Sequence, residues 1–237
     1  MCGRMVNTHT PAQIAEAFNA VNTIDEVVVP DFNVGPTRDV PAVLERGKGD
    51  EEVRREVRML RWGLVPFWAK DPSGGSKMIN ARVETAPTKP AFRDAFARRR
   101  CIVAASGFYE WERTDNGKQP WFIHPSDGSI LSFAGLYERW KDAEGKLLMS
   151  CAVITTSAPD DVGHIHDRAP MVVPSEALDD WLDPAAHDPA QFKSILIPAV
   201  PGTFEAYKVD VAVGNVCNNY PELIEPIPDP APPDRLF

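Results

Sequence analysis

The residues whose types could do chemistry begin at the N-terminus, which reads Met1-Cys2-Gly3-Arg4. Removal of Met1, which is usual when the second residue is small, would leave Cys2 with an α-amine and a thiol on adjacent carbons. The amine titrates near ~8 and the thiol near ~8.5, so both nucleophiles are partly available at neutral pH. The amine can form an imine with an aldehyde, and the thiol can then close a thiazolidine ring. The thiol could instead attack an amide carbonyl, with the amine as its base.

Two further stretches place polar side chains where a site could form. In Ile79–Thr85 the residues Asn80, Arg82 and Glu84 alternate, so on an extended chain they point to one side. The other reading of this stretch is a strand edge that faces solvent. Glu110 stands among aromatic residues, which predicts a raised pKa and suits general acid/base work. A carboxylate exposed at a strand end is the other reading of Glu110.

A polar loop carries His164 and His166. Histidines spaced i, i+2 could bind a metal, but the sequence offers no third and fourth ligand near them. A single histidine that acts as a hydrogen-bond donor or an acid explains the loop equally well.

The four cysteines are far apart and form no C-x-x-C, which argues against a zinc or disulfide framework.

Many short apolar strands and few helices must position these residues. The pattern predicts an α+β fold around a mostly antiparallel sheet or barrel, with a few short flanking helices. Thr10-Pro11 starts a predicted helix, and Val40–Leu44 with Val53–Trp62 predicts a hairpin around a polar turn at residues 46–50. A continuous strand is expected over Arg100–Tyr109.

Turn and cap signals complete the expected elements. Asn116-Gly117 is a strong hairpin turn signal. Ser175 is expected to cap a helix through Trp181, Asp188-Pro189 to begin another through Ile195, and Phe204–Val213 to form a strand. The sequence predicts one domain over residues 2–225, followed by a poorly ordered tail at 226–237 that contains five prolines.

Composition narrows the class of protein. The 237 residues are 43% hydrophobic and 25% charged, as in ordinary globular proteins. Without an apolar run of ~18–20 residues or a signal peptide, a cytoplasmic protein without membrane contact is expected. The net charge is −9, yet residues 54–100, here called the basic segment, hold 12 basic and 4 acidic residues. This local charge of +8 is compatible with a short nucleic-acid contact, or with a solvated charged face.

The chain resembles the SRAP family, the SOS response-associated peptidases or abasic-site processing proteins, over about residues 2–225. Each motif is weak alone, but eight in order are specific. The motifs are MCGR at the start, FNVGPT (32–37), RWGLVPFWAK (61–70), INARVET (79–85), GFYEW (107–111), ITT (154–156), IHDRAP (165–170) and VGNVCNN (213–219). Gly35 stands where alanine is frequent in the family, and Ala169 separates the arginine and proline of the histidine motif.

The resemblance implies a protein, expected to be monomeric, that crosslinks through Cys2 to abasic sites in single-stranded DNA. It implies that Asn80 positions Cys2, that Glu110 shuttles protons, and that His166 protonates the opened sugar oxygen, with Thr155 close by. It implies no cofactor or metal. The positions that match family DNA contacts are Arg4 and Arg82 for phosphates, and Asn33, Pro36 and Trp68 along the DNA cleft.

Three other activities remain open from the sequence. Cys2 could be a peptidase nucleophile, with Met1 removed by the protein itself or by an aminopeptidase. Amidohydrolases with an N-terminal nucleophile can also begin MCG, although the oxyanion hole they need is not evident. The third alternative is a protein that binds single-stranded DNA without a covalent bond, in which Cys2 has no chemical role. The crosslinking reading predicts a lyase-like enzyme of DNA repair and the SOS response.

Overall fold

The computed structural model describes residues 2–47, 53–115, 117–192 and 194–228. Short strands predominate, as expected, and several single 3₁₀ turns join them. The strands are β1 Met5–Asn7, β2 Val21–Asn22, β3 Asp31–Val34, β4 Asp39–Arg46, β5 Arg54–Trp62, β6 Asn80–Arg82, β7 Arg100–Ala105, β8 Gly107–Thr114, β9 Gly117–Pro125, β10 Leu131–Lys141, β11 Leu147–Ser157, β12 Arg168–Pro170 and β13 Phe204–Lys208. The helices are α1 Pro11–Ala17, α2 Arg93–Arg98, α3 Asp160–Gly163 and α4 Leu178–Leu182.

The larger sheet closes on itself. Its strands follow the order β12-β11-β10-β7-β4-β5-β2, and the neighbours from β11 to β5 are antiparallel. A parallel pairing of Cys151 with Trp62 joins β11 back to β5. Five strands, β4, β5, β7, β10 and β11, therefore form a closed barrel, which removes the open edges that a flat sheet would leave. The predicted α+β fold with a barrel-like core is confirmed.

The smaller sheet holds the N-terminal segment. Its order is β13-β9-β8-β1-β3, so β1 lies between two neighbours. Met5 pairs with both Phe108 of β8 and Val34 of β3, in antiparallel registers. Because β1 is hydrogen-bonded on both sides and Met5 is fully buried, the residues just before it enter the structure along a fixed path.

The strand predicted over Arg100–Tyr109 is divided between the two sheets, so that prediction is wrong. β7 ends at Ala105 in the barrel, and β8 starts at Gly107 in the smaller sheet. At the intervening Ser106, the N–H donates to Val6 O at 2.8 Å and Oγ accepts from Thr8 N at 2.9 Å. Because Ser106 turns toward β1, the chain leaves the barrel there. Residues 100–105 and 107–110 are all buried, so the apolar pattern resumes directly after Ser106, and the Ser106-Gly107 dipeptide is the turn signal at this point.

The passage of the chain from the barrel to the smaller sheet requires glycine at position 107, because a side chain there would not fit. A Cβ there would lie 2.5 Å from two Phe122 ring carbons and 2.8 Å from Ile123 O. We expect Gly107→Ala to lower the free energy of unfolding by about 1–3 kcal/mol, the usual cost of overpacking. Urea denaturation measures it. In the matched control, Gly163→Ala, the new Cβ meets nothing within 4 Å, so stability should not fall. Equal unfolding midpoints for both variants would contradict the packing explanation.

Other local predictions have mixed outcomes. The helix at Pro11 is confirmed, with a capping box between Thr10 and Gln13, and so is the β4–β5 hairpin. Ser175 does not cap a helix, because it starts a 3₁₀ turn that leads into α4. The helix expected after Asp188 is one 3₁₀ turn, Pro189–Phe192, and the strand from Phe204 stops at Lys208.

Some predictions fall partly or wholly on residues outside the described ranges. These are Lys48–Asp50 of the β4–β5 turn, Asn116 of the β8–β9 turn, and residues 229–237 of the expected tail. Within the described part of the tail, Ile227 N donates to Lys208 O at 3.0 Å. The boundary at 225 and the monomeric state stay predictions. None of the helices in the described residues is long and apolar enough to cross a membrane.

Candidate active site

The C-terminal half of β11 gathers the segments that carry the predicted site residues. Asn80 of β6 pairs with Val153 in a parallel register, and Arg82 pairs with Thr155. On the other side of β11, Thr155 pairs with Pro170 of β12, which follows the histidine loop. The motifs INARVET, ITT and IHDRAP, far apart in sequence, thus become neighbours through backbone pairing.

Cys2 lies at the junction of the two sheets. Its carbonyl accepts a hydrogen bond of 2.6 Å from Asn80 Nδ2, and its side chain is fully buried. Tyr109 N donates to Arg4 O at 3.0 Å, which extends the β1–β8 pairing toward the terminus. The same register brings Glu110 beside the Cys2–Gly3 segment. The sequence-based hypothesis that Asn80 and Glu110 lie near Cys2 agrees with this geometry.

Electrostatics couples three of these groups. Burial raises the pKa of the Cys2 thiol, and the nearby Glu110 carboxylate raises it further. Glu110 is 3% exposed, and burial also raises its pKa, an effect that His166 partly opposes. Both acids therefore hold their protons more tightly than in water, because a low-dielectric surround penalises the charged forms. A carboxyl with a raised pKa suits general acid/base work, while the thiol stays protonated.

His166 and Thr155 both contact Arg168, His166 through the Arg168 backbone and Thr155 through the guanidinium. His166 Nδ1 is 3.0 Å from Arg168 N, and the imidazole is partly exposed. Thr155 is fully buried, and its carbonyl accepts from Val83 N at 3.0 Å and from Arg168 Nη2 at 2.6 Å. Thr155 therefore contributes mainly shape and backbone contacts to the site wall.

The extended segment on which Asn80, Arg82 and Glu84 were expected to alternate ends before Glu84. β6 ends at Arg82, where Ala86 N donates to the Arg82 carbonyl at 2.8 Å and the chain turns. Alternation holds only while the backbone stays extended. After the turn, Glu84 reaches Arg168, a contact that the sequence reasoning missed. The sequence signal for this contact was the opposite charge of Glu84 in INARVET and Arg168 in IHDRAP.

Arg4 and Asn33 hold the loop of the VGNVCNN motif. Arg4 Nη1 donates to Asn33 Oδ1 at 2.6 Å and to Val213 O at 2.9 Å, and its guanidinium lies 5.8 Å from the Trp111 ring centre. Asn33 is 3% exposed, and its amide donates to three carbonyls of the loop, including Asn218 O at 2.9 Å. In this structure both side chains shape the loop, and direct DNA contact by either one stays a prediction.

The remaining predicted DNA contacts lie nearer the surface. Trp68 is 57% exposed and its neighbour Phe67 56%, while Arg82 is exposed and Pro36 partly so. Trp140 Nε1 donates to Ala69 O at 2.7 Å, which fixes the base of this aromatic loop. Phe67 was not singled out from the sequence, although an aromatic residue in a loop rich in proline and glycine is a signal for exposure.

The basic segment is divided by the fold. Arg55 and Arg58 pair with carboxylates, Arg99 pairs with Glu138, and Arg100 is buried among main-chain carbonyls. These four cations serve the structure, so the charge of +8 overstates what DNA could meet. The exposed cations of the segment include Lys70, Lys77, Arg82 and Lys89.

The histidine loop does not bring two ligands together. The His164 ring packs edge-on against Trp121 at 5.4 Å between ring centres, while His166 lies toward Glu110. Among the described residues, no group of three or more His, Cys, Asp or Glu side chains could hold a metal ion. All four cysteines are free thiols, and Cys101 and Cys151 are buried as small apolar side chains.

Fold and site together define an α+β barrel protein whose N-terminal strand leads a buried cysteine to an amide, a carboxyl and an imidazole. The chain belongs to the SRAP family, because the family described as "SOS response associated peptidase (SRAP)" matches residues 1–216.

Sequence and structure comparisons with individual proteins are consistent with this family. The "Abasic site processing protein YoqW" of Bacillus subtilis is 40% identical over 227 residues, covering 95% of this chain and 99% of that protein. The "Abasic site processing protein YedK" of Escherichia coli is 33% identical over 96% of this chain and all of that protein. A crystal structure of a Bacteroides thetaiotaomicron protein has a TM-score of 0.83 at 25% identity, covering 95% and 100% of the two chains.

Proposed function

We propose that this protein processes abasic sites in DNA, and that it does so by forming a thiazolidine between Cys2 and the ring-opened sugar. The observation that carries the proposal is the burial of Cys2 between Asn80, which binds its carbonyl, and Glu110, which raises the pKa of its thiol. Relatives named for abasic-site processing support the choice of substrate. Met1 must first be removed, by the protein itself or by an aminopeptidase, since only a free α-amine can form the imine.

The proposed reaction is a condensation that releases one water. The Cys2 amine adds to the sugar aldehyde, and the resulting carbinolamine loses its hydroxyl as water to give an imine. The thiol sulfur then bonds to the imine carbon, and the thiol proton ends on the nitrogen. Glu110 donates the proton that water departure needs and accepts one at ring closure. His166 donates to the sugar oxygen that ring opening exposes.

The environment of the thiol favours attack by the amine first. A raised pKa leaves little thiolate at neutral pH, and the thiolate is the strong sulfur nucleophile. A cysteine peptidase needs that thiolate for its first step, whereas ring closure on an imine can pass the thiol proton to the nitrogen. The same burial therefore supports aldehyde trapping over peptide cleavage in trans.

Asn80 supports the proposal through its second polar atom. Its Nδ2 holds the Cys2 carbonyl, while its Oδ1 is buried and has no hydrogen-bond partner among the described residues. A buried carbonyl oxygen without a donor is costly. The amine or carbinolamine of a processed Cys2 could supply that donor and orient the nitrogen for attack.

Single-stranded DNA is the partner that the exposed aromatic and basic groups favour. Trp68 offers a stacking surface, and Arg82 projects from the strand next to Asn80. Lys70 and Lys77 add exposed positive charge in the same loop. Stacking on an aromatic ring needs unpaired bases, so this surface favours a single strand over an intact duplex.

Intact-mass measurement after mixing with abasic single-stranded DNA tests the proposal. We expect the protein without Met1 to give a species equal to the sum of the two masses less one water. DNA with a tetrahydrofuran analogue, which has no aldehyde, is the control and should give no adduct. Absence of the adduct from protein that has lost Met1 would refute the crosslink. Glutamine hydrolysis or peptide cleavage by the same sample would favour the amidohydrolase or peptidase alternative.

A further inference from the structure

We propose that Glu84 is a positioning residue, which acts through Arg168 to hold the His166 loop against the strand that carries Asn80. The proposal rests on the function proposed above and extends it to two residues without an assigned role there. Glu84 belongs to the motif that carries Asn80, but its carboxylate contacts Arg168 and not Cys2. Its partner explains the difference.

The contact between the two side chains is bidentate. Arg168 Nη1 lies 2.5 Å from Glu84 Oε1, and Nη2 lies 3.1 Å from Oε2. Nη2 also donates to Thr155 O at 2.6 Å. The Arg168 side chain is 12% exposed and that of Glu84 52%, so the pair lies at the rim of the site. A planar guanidinium with two carboxylate contacts fixes orientation as well as distance.

This pair links three segments of the site. Glu84 lies in the turn after β6, four residues beyond Asn80, and the hydrogen bonds that follow Arg82 hold that turn. Thr155 belongs to β11, and Arg168 begins β12. The guanidinium therefore fastens the end of the histidine loop to both strands on which the amide and the site wall are built.

Arg168 reaches His166 through its backbone. Its N–H donates to His166 Nδ1 at 3.0 Å, while Asp167 Oδ1 is 2.9 Å from the same nitrogen. Nδ1 cannot accept from Arg168 and donate to Asp167 at once. When Arg168 is held in place, Nδ1 accepts and the neutral ring carries its proton on Nε2. Glu84 thereby selects the tautomer that can donate from Nε2.

The test replaces the Glu84 carboxylate with an isosteric amide. Glu84→Gln should slow single-turnover crosslinking by about tenfold, because His166 is less well oriented. Its affinity for single-stranded DNA with a tetrahydrofuran site should stay within about twofold, since orientation matters mainly in the transition state. The matched control is Glu56→Gln, which removes a similar arginine partner on β5, where Glu56 Oε2 is 2.7 Å from Arg58 Nε. That control should crosslink at the wild-type rate.

Two further measurements decide the role. In a His166→Ala background, Glu84→Gln should cause no additional loss of rate, because the two residues act as one unit. Nitrogen chemical shifts of the His166 ring should report the Nε2–H tautomer in the wild type and a mixture in Glu84→Gln. The shifts test the proposal even if no crosslink forms, so its failure is separate from that of the proposed function. Additive rate losses, unchanged shifts, or a loss confined to DNA affinity would each overturn it.

Discussion

Cys2→Ala is expected to abolish the covalent adduct with abasic single-stranded DNA, because alanine keeps an amine but lacks the sulfur that closes the ring. In denaturing gels the wild type should give a band that survives boiling in detergent, and the variant should not. The substitution removes one buried sulfur from a cluster of apolar side chains, so the fold should persist. A circular dichroism spectrum equal to that of the wild type serves as the control for folding.

Cys2→Ser separates the two nucleophiles of the same residue. Serine keeps the α-amine, so an imine should still form and borohydride should trap it as a stable amine. Without borohydride the product should be lost in detergent. If no trapped product forms although Met1 is absent, the amine does not attack first, and the order of the proposed steps is wrong. A detergent-labile shift from the wild type would favour a non-covalent binding module.

Glu110→Gln is expected to slow both crosslinking and its reversal by about 100-fold or more, the usual contribution of a positioned acid or base. Both directions need proton transfer at the same carbon, and the amide cannot supply or accept that proton. Single-turnover rates measure the forward step, and competition with excess unlabelled DNA measures release. Glu112→Gln is the matched control, because its carboxylate receives the Trp121 Nε1–H at 2.9 Å on the same strand. Unchanged rates in both directions would remove Glu110 from the mechanism.

The raised pKa of Glu110 also gives this substitution a stability signature. The buried carboxyl holds its proton at pH values where the same group in the unfolded chain, with an ordinary pKa of 4.5, has lost it. The native state therefore binds more protons in the window above 4.5, and stability falls as pH rises through that window. Glu110→Gln should flatten this slope. Urea unfolding at a series of pH values, compared between wild type and variant, checks the sign.

Much of the fold was predictable because local patterns and tertiary structure agree. The helix at Pro11 has its cap and its apolar face within a few residues, and the β4–β5 hairpin has matched apolar strands. The division of Arg100–Tyr109 between two sheets was not predictable in this way. It depends on distant residues, since Ser106 N donates to Val6 O and a Cβ at Gly107 would meet Phe122, and strand propensity does not report such contacts.

The site shows the same limit at the level of side chains. The motifs predict Cys2, Asn80, Glu110 and His166 as site residues, and these four lie in segments that the fold brings together. They do not indicate which polar side chains are used internally. Asn33 is bound to loop carbonyls. The ion pairs of arginines in the basic segment depend on tertiary structure, because their acidic partners include residues on other strands.

The pairing of β1 with β8 has a consequence for protein synthesis. Met5 pairs with Val34 on one side and with Phe108 on the other, so the second pairing must wait until more than one hundred further residues have left the ribosome. Contacts of such sequence separation form late in folding. Until β8 has been made, the Cys2–Gly3 segment lacks the Glu110 carboxyl that the finished fold places beside it, so under the proposed function Cys2 gains its acid only late in folding.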